Sequence, residues 1–388
     1  MSNWNIAIER ALENNVPKVD SILEKYPYLS SMADEIRDAK LKVIADLDSY
    51  VKETMESVEA TGGKAYLART TGEAQGILRQ IVGTGRKIVM AKSNVAHEID
   101  IINTLEKAGN SVSETDLGAY LIQLSGDESS HIVFPSLHMT REEIGRMLHK
   151  ELGLQLSDRS TTEEIVAAVR QLLRKKYMEA DIGISGANAI SADTGSVVLV
   201  ENEGNIRIDT VLPPVHIIIT GIDKIVPTLN DAMKEAMVQS AYAGLYPPTY
   251  VNITSGPSST ADIELKRVTP ATGPKEVHVI LIDNGRTEAS RDESMKEALL
   301  CIKCGRCYFS CPIYRVVGKD WGEQPYGGPT GAMWTAIVNR DYATAEYCTH
   351  SGGCREVCPM KINIPRVLEY LKWVGIEKMN RNNPENTD

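Results

Sequence analysis

The chain has 388 residues, with 42 Lys+Arg against 52 Asp+Glu and a formal net charge of −10. That length predicts two or three domains. A 42% hydrophobic share with 24% charged residues excludes a disordered chain, and an acidic balance without a basic block argues against a nucleic-acid partner. The best apolar run, around VHIIITGI at 215–222, is far short of the ~18 residues that span a bilayer. The polar start MSNWNIAIERALENN lacks the regions of a secretory signal. A cytoplasmic protein with no direct membrane span is expected.

Residues 1–60 carry apolar positions near helical spacing (Trp4, Ile8, Leu12, then Ile36, Val43, Ile44, Leu47, Val51), which predicts an N-terminal helical segment packed on the next domain. From 61 to 290 the pattern predicts an α/β domain. Short apolar runs at 64–68, 87–91, 111–116, 131–137, 181–186, 196–202, 215–221 and 278–284 read as strands, with helical stretches at 94–108, 140–152, 161–179 and 228–242 between several of them. Such alternation points to a largely parallel sheet, with antiparallel hairpins between 181 and 221. The charged stretch 285–294 reads as a linker. A cysteine-rich domain comes next at 291–379, with a helix expected at 329–346, and 380–388 reads as a disordered tail.

All seven cysteines lie between 301 and 358, and such crowding outside a short secreted chain signals metal ligation rather than disulfides. Cys301, Cys304, Cys307 and Cys311, followed by Pro312, reproduce the bacterial ferredoxin run, in which the fourth cysteine serves the other cluster. Zinc is the alternative, disfavoured because zinc sites rarely end such a run in Cys-Pro. In the second motif, Cys348, Cys354 and Cys358-Pro359, Ser351 stands at the second ligand position. Cross-ligation assigns Cys301, Cys304, Cys307 and Cys358 to a 4Fe–4S cluster I. Cys311, Cys348 and Cys354 then hold cluster II, either as 3Fe–4S or as 4Fe–4S with a non-cysteine ligand such as Ser351, His350, water or a partner's group. Residues 296–388 carry a net charge of +2, so Lys303, Arg306, Arg315, Arg355 and Lys361 offer cations to offset anionic clusters.

The segments AKSNVAHEI (91–99), ETDLGAYLIQL (114–124), SHIVFPSLH (130–138), EADIGISGANAISADTGSVVLVENEGN (179–205) and GIDKIVPTL (221–229), with CIKCGRCYFSCPIYRVVG, YGGPTGAM and CREVCPMKINIP, resemble the lactate utilization protein B family. The resemblance implies a LUD domain, similar in fold to NagB, ribose-5-phosphate isomerase (RpiA) and CoA transferases, followed by a ferredoxin-like domain. The helix expected between the motifs makes that domain α-helical. It further implies an iron–sulfur electron-transfer subunit, not itself catalytic, of an oxidoreductase complex oxidising lactate to pyruvate or a related 2-hydroxy acid. The partners would be a cysteine-rich protein, a flavin dehydrogenase or a second LUD protein. The alternative is a metabolite-binding redox sensor or regulatory subunit without turnover. Polar turns beside the strands present Lys92, Asn188, Asp193, Thr194, Glu201, Glu203, Lys224 and the 255–260 loop as a candidate site for a small organic acid. His97, His131, His138 and His216 show no metal-like pairing, and no nucleotide-binding glycine motif occurs.

Overall fold

The computed structural model describes residues 3–322 and 324–382. The chain opens with three helices, Asn3–Lys25, Tyr28–Ala45 and Leu47–Ala60. The second buries Leu29, Ala33, Ile36, Lys40, Val43 and Ile44, the three-to-four-residue recurrence that lays one stripe against a core.

Ten strands follow among the described residues: β1 (Lys64–Ala68), β2 (Lys87–Met90), β3 (Ser111–Glu114), β4 (Ile182–Ser185), β5 (Ala189–Ser191), β6 (Val197–Glu201), β7 (Val215–Gly221), β8 (Ile225–Val226), β9 (Tyr250–Thr254) and β10 (Glu276–Ile282). Six form a sheet in the order β1-β10-β7-β4-β2-β3, parallel throughout. Its inner strands β7 and β10 read Val-His-Ile-Ile-Ile-Thr-Gly and Glu-Val-His-Val-Ile-Leu-Ile and are buried along nearly their whole length, because helices cover one face and the N-terminal helices with the second sheet cover the other. A second sheet, β8-β5-β6-β9, holds the antiparallel pairs β5–β6 and β6–β9.

Several elements differ from the sequence reading. Residues 131–137 form no strand. The amides of Val133 and Phe134 both donate to His131 Nδ1 at 3.1 Å, Ser130 N donates to Pro135 O at 2.9 Å, and Pro135 has no N–H for a ladder. The helix at 94–108 is two, Asn94–Glu98 and Ile101–Lys107, broken where Asp100 takes φ 51°. The stretch 285–294 is no linker, since it contains the helix Arg286–Arg291 with Arg286 buried. The expected 329–346 helix spans only Gly328–Val338, followed by a 3-10 turn at Ala343–Tyr347. Residues 380–382, expected in the tail, belong to the helix Ile364–Asn382; the rest of that tail, 383–388, lies outside the described residues.

From residue 291 onward the described residues form helices and turns only. This region shares one apolar core with the rest: Ile8, Ile36, Ile132 and Val238 pack in the same cluster as Leu299, Phe309, Trp334 and Leu368. The N-terminal helix is tied in by Trp4, whose Nε1 donates to Arg315 O at 3.0 Å and whose ring meets Tyr314 edge-on at 5.4 Å. No helix among the described residues is long and apolar enough to cross a membrane.

Candidate iron–sulfur and ligand sites

The two cysteine motifs have the same local build. A 3-10 turn precedes each, Lys296–Leu300 and Ala343–Tyr347, and a short helix follows each, Arg306–Ser310 and Gly353–Glu356. Cys301 N donates to Ala298 O and Cys348 N to Ala345 O, both at 3.2 Å. Each loop then turns through two left-handed residues, Lys303 (φ 60°) and Gly305 (φ 77°) in the first, His350 (φ 55°) and Gly352 (φ 85°) in the second. At this common offset Ser351 stands where the first loop has Cys304.

The sulfurs fall into two groups. Burial first, then neighbouring sulfurs, push the thiols up. Cys304 reaches about 12 with Cys358 and Cys301 beside it, and Cys358 about 11 with Cys301 nearby. Cys354 reaches about 12 with Cys311 and Cys348 as neighbours. Cys301, Cys304, Cys307 and Cys358 line one cavity with Thr330, Met360, Ile362 and Ile364. Among the described residues no three His, Cys, Asp or Glu side chains converge on a single-ion site.

The donor chemistry fits iron–sulfur clusters. Backbone N–H groups of Ile362, Met360 and Lys361 point at the Cys358 sulfur, and those of Tyr314 and Ile313 at Cys311. Thr330 Oγ1 lies 3.2 Å from Cys301 Sγ. The Tyr308 hydroxyl is buried, beside the Gly327 backbone amide and close enough to Cys307 and Cys301 to feel both. Hydrogen bonds to cluster sulfur raise reduction potential. Thr330→Val should therefore leave the iron content unchanged and lower the potential of the centre held by Cys301, as read by an EPR-monitored redox titration.

The first loop is clamped by the α/β domain. His131, buried and held neutral at about 3 chiefly by desolvation, accepts two amides at Nδ1. Its Nε2–H therefore faces Gly305 O at 3.3 Å. Lys303 Nζ donates to Asp223 Oδ2 at 2.7 Å and lies 3.8 Å over the Trp334 ring. Burial alone would raise Asp223, but Lys303, Arg286, Lys224 and Lys40 together hold it well below the usual carboxylate range. Arg306 pairs with Asp20 at 2.5 Å, Lys361 with Asp34, and Arg315 donates to Phe309 O; Arg355 is exposed. Most of these cations serve the protein's own carboxylates and carbonyls as well as the cluster region. The second loop is different: Thr349, His350 and Ser351 are exposed, flanked by Tyr347 (59% exposed) and Trp373 (64%).

Of the residues suggested for a small ligand, Lys92, Asn188, Glu201, Glu203 and Lys224 line a single cavity of about 330 Å³, joined by Asp116, Gln239 and Lys303. Asp193 and Thr194 do not line it. Asp193 Oδ1 accepts from Leu229 N at 3.1 Å, at the start of the helix Leu229–Tyr242. Thr194 Oγ1 is spent within its turn on Ser191 and Ser196, and Ser255 closes on Ser196 at 2.6 Å. Sequence reasoning missed Asp116, Gln239 and Lys303 as cavity residues; the signal for Lys303 was its place inside the first cysteine motif.

A parallel-sheet α/β domain, packed against a helical region that carries two cysteine loops, defines the class: a LUD-type domain joined to an iron–sulfur dicluster domain. The LUD domain family matches residues 51–282, and the 4Fe–4S dicluster domain matches residues 297–362. The chain is 36% identical over 358 residues to lactate utilization protein B of Bacillus subtilis (strain 168), covering 90% of this chain and 72% of that one. It is 37% identical over 358 residues to the protein of the same name from Bacillus licheniformis, with the same coverage. It is also 36% identical over 353 residues to the uncharacterized electron transport protein YkgF of Escherichia coli (strain K12), covering 89% and 71%. The chain belongs to the lactate utilization protein B family. A crystal structure of a duf162 family protein from Deinococcus radiodurans aligns with 61% of this chain and 97% of its own, at 13% identity and a TM-score of 0.31.

Proposed function

We propose that this protein is a cytoplasmic iron–sulfur electron-transfer subunit of a complex that oxidises lactate to pyruvate, or a related 2-hydroxy acid, alongside a cysteine-rich protein, a flavin dehydrogenase or a second LUD protein. The names of the relatives support the substrate class and the electron-transfer role. In this reading the α/β part is of the NagB, ribose-5-phosphate isomerase and CoA-transferase type, and the cysteine domain is a helical ferredoxin. Cys301, Cys304, Cys307 and Cys358 would hold a 4Fe–4S cluster, and Cys311, Cys348 and Cys354 a second, either 3Fe–4S or 4Fe–4S with a non-cysteine ligand. Such centres supply one-electron transfer.

The observation that carries the reading is the unequal placing of the two loops. His131 and Asp223 seat the first against the crevice of the α/β domain, while the second carries Thr349, His350 and Ser351 at the surface. That arrangement offers an inner terminus toward a bound metabolite and an outer one toward a redox partner. The lysine-lined crevice also favours a second reading, a metabolite-responsive redox sensor. Anaerobic purification with iron and sulfide analysis, followed by rapid reduction and reoxidation with a co-purifying dehydrogenase, tests the first reading. Zinc in place of iron, or clusters that no partner reduces at catalytic rates, would exclude conduction.

A further inference from the structure

The cavity that Lys92 lines lies where a parallel α/β sheet offers a binding crevice, beyond the carboxyl ends of its strands. Lys92 follows β2, Asp116 follows β3, Gly186 and Asn188 follow β4, and Lys224 follows β7. Backbone and side chains approach closely there: a Cβ on Gly186 would stand 2.8 Å from Ser93 Oγ. The charges lining the cavity are mostly committed elsewhere. Lys303 is paired with Asp223 at 2.7 Å and Lys224 with Glu235 at 3.5 Å. Glu201 is turned to Arg207 at 3.4 Å and accepts from Asn252 at 2.8 Å.

Lys92 is the exception. It is half-buried and opens onto the cavity, its ammonium donates to the Ile132 carbonyl, and among the described residues it has no carboxylate within ion-pair distance. Desolvation pulls its pKa down to about 8, against weaker support from Asp116 and Glu114. An ammonium so placed is costly without a counter-charge. At the mouth, Glu203 accepts from Leu117 N at 3.0 Å and Asp116 from Ala119 N at 2.9 Å. Desolvation, and next the neighbouring Asp116, raise Glu203 to about 7.

We propose that this cavity binds a small carboxylate anion, its carboxylate on the Lys92 ammonium and a hydroxyl group donating toward Asp116 and Glu203. The wall of the site is hydrogen-bonded directly to the first cysteine loop. Asn188 Nδ2 donates to Gln239 Oε1, Gln239 Nε2 donates to Ile302 O at 2.6 Å, and Lys224 Nζ lies 3.4 Å from that same carbonyl. Ile302 sits between Cys301 and Cys304, so an occupant touching Asn188 and Lys224 is one side chain away from the iron-holding loop.

The test is isothermal titration calorimetry of the anaerobically prepared full chain with L-lactate, the choice of which rests on the functional reading above, and with lactamide, its neutral counterpart. L-lactate should bind one per chain and lactamide should not, because only the acid supplies the missing counter-charge. Lys92→Gln, with unchanged iron content and circular dichroism, should weaken binding about 10- to 100-fold, the worth of a charge-assisted hydrogen bond. Lys92→Arg should restore part of it. No heat with either L-lactate or pyruvate, equal binding of lactamide, or a Lys92→Gln protein that binds as well as the parent would overturn the site. The lactamide comparison stands even if the Lys92 variants misfold. Loss of electron transfer with binding intact would instead count against the functional reading alone.

Discussion

Arg286→Met should lower the stability of the folded protein by about 3–5 kcal/mol, the usual cost of stranding a buried charge by removing its partner. Arg286 has no solvent exposure. Its NH1 and NH2 fork onto Glu98 at 2.9 and 2.8 Å, its Nε donates to Asp223 at 2.5 Å, and NH1 reaches Asp283 O at 3.0 Å. The guanidinium lies 4.9 Å over Trp334. Asp223 would keep Lys303 at 2.7 Å, but among the described residues Glu98 would retain only the neutral donors Asn284 and Tyr326. Adding Glu98→Gln to the methionine variant should therefore recover a measurable part of the loss, a coupling that urea denaturation of the single and double variants would read. Arg286→Lys should fall between, since an ammonium keeps the charge but not the two-pronged geometry. Trp334 and Lys303 belong to the cysteine domain, so the methionine variant should also release iron faster under chelator challenge than the parent. A variant as stable as the parent would show that the cluster of charges is not what holds the two parts together.

The features legible in the sequence were those set by local rules. Cysteines spaced closely along one loop cannot separate, so motif spacing alone grouped the thiols of each loop. Val-rich and Ile-rich runs such as 215–221 and 278–284 become β7 and β10, the strands whose burial on both faces demands such runs. What escaped depended on partners distant in the chain. Apolar composition at 131–137 suggested a strand, yet the segment is shaped by a histidine ring that caps its own neighbours and reaches residue 305. The polar appearance of 285–294 suggested a linker, because nothing local shows that Arg286 finds Glu98 and Asp223 in the interior. The strand β9, Tyr250–Thr254, alternates only weakly in burial and is fixed by its register with β6. Asp193 and Thr194 looked like ligand donors because turns rich in Gly and Asp do bind ligands, but here the turn consumes its own polar groups.

If Cys311, Cys348 and Cys354 hold a three-iron centre as proposed, Ser351→Cys should convert it to four irons. The second loop repeats the first in its preceding 3-10 turn, its left-handed pair of residues and its following helix. Ser351 therefore occupies the position from which Cys304 contributes to the inner group. A hydroxyl there is a weak substitute, since serine gives up its proton far less readily than a thiol does near neutral pH. With Cys311, Cys348 and Cys354 as the donors, three irons are matched and a fourth is not. The parent, isolated anaerobically and oxidised, should show the EPR signal of a three-iron centre. The cysteine variant should lose that signal, gain one iron per chain and titrate at a lower potential. Exposure of the loop makes the substitution easy to accommodate, because no packed neighbour has to move for a sulfur in place of an oxygen. If the parent already contains two complete cubanes and is EPR-silent when oxidised, the serine reading fails. The exposed loop must then supply a non-cysteine ligand, and Ser351→Ala and His350→Ala would identify which side chain it is by the iron each one loses.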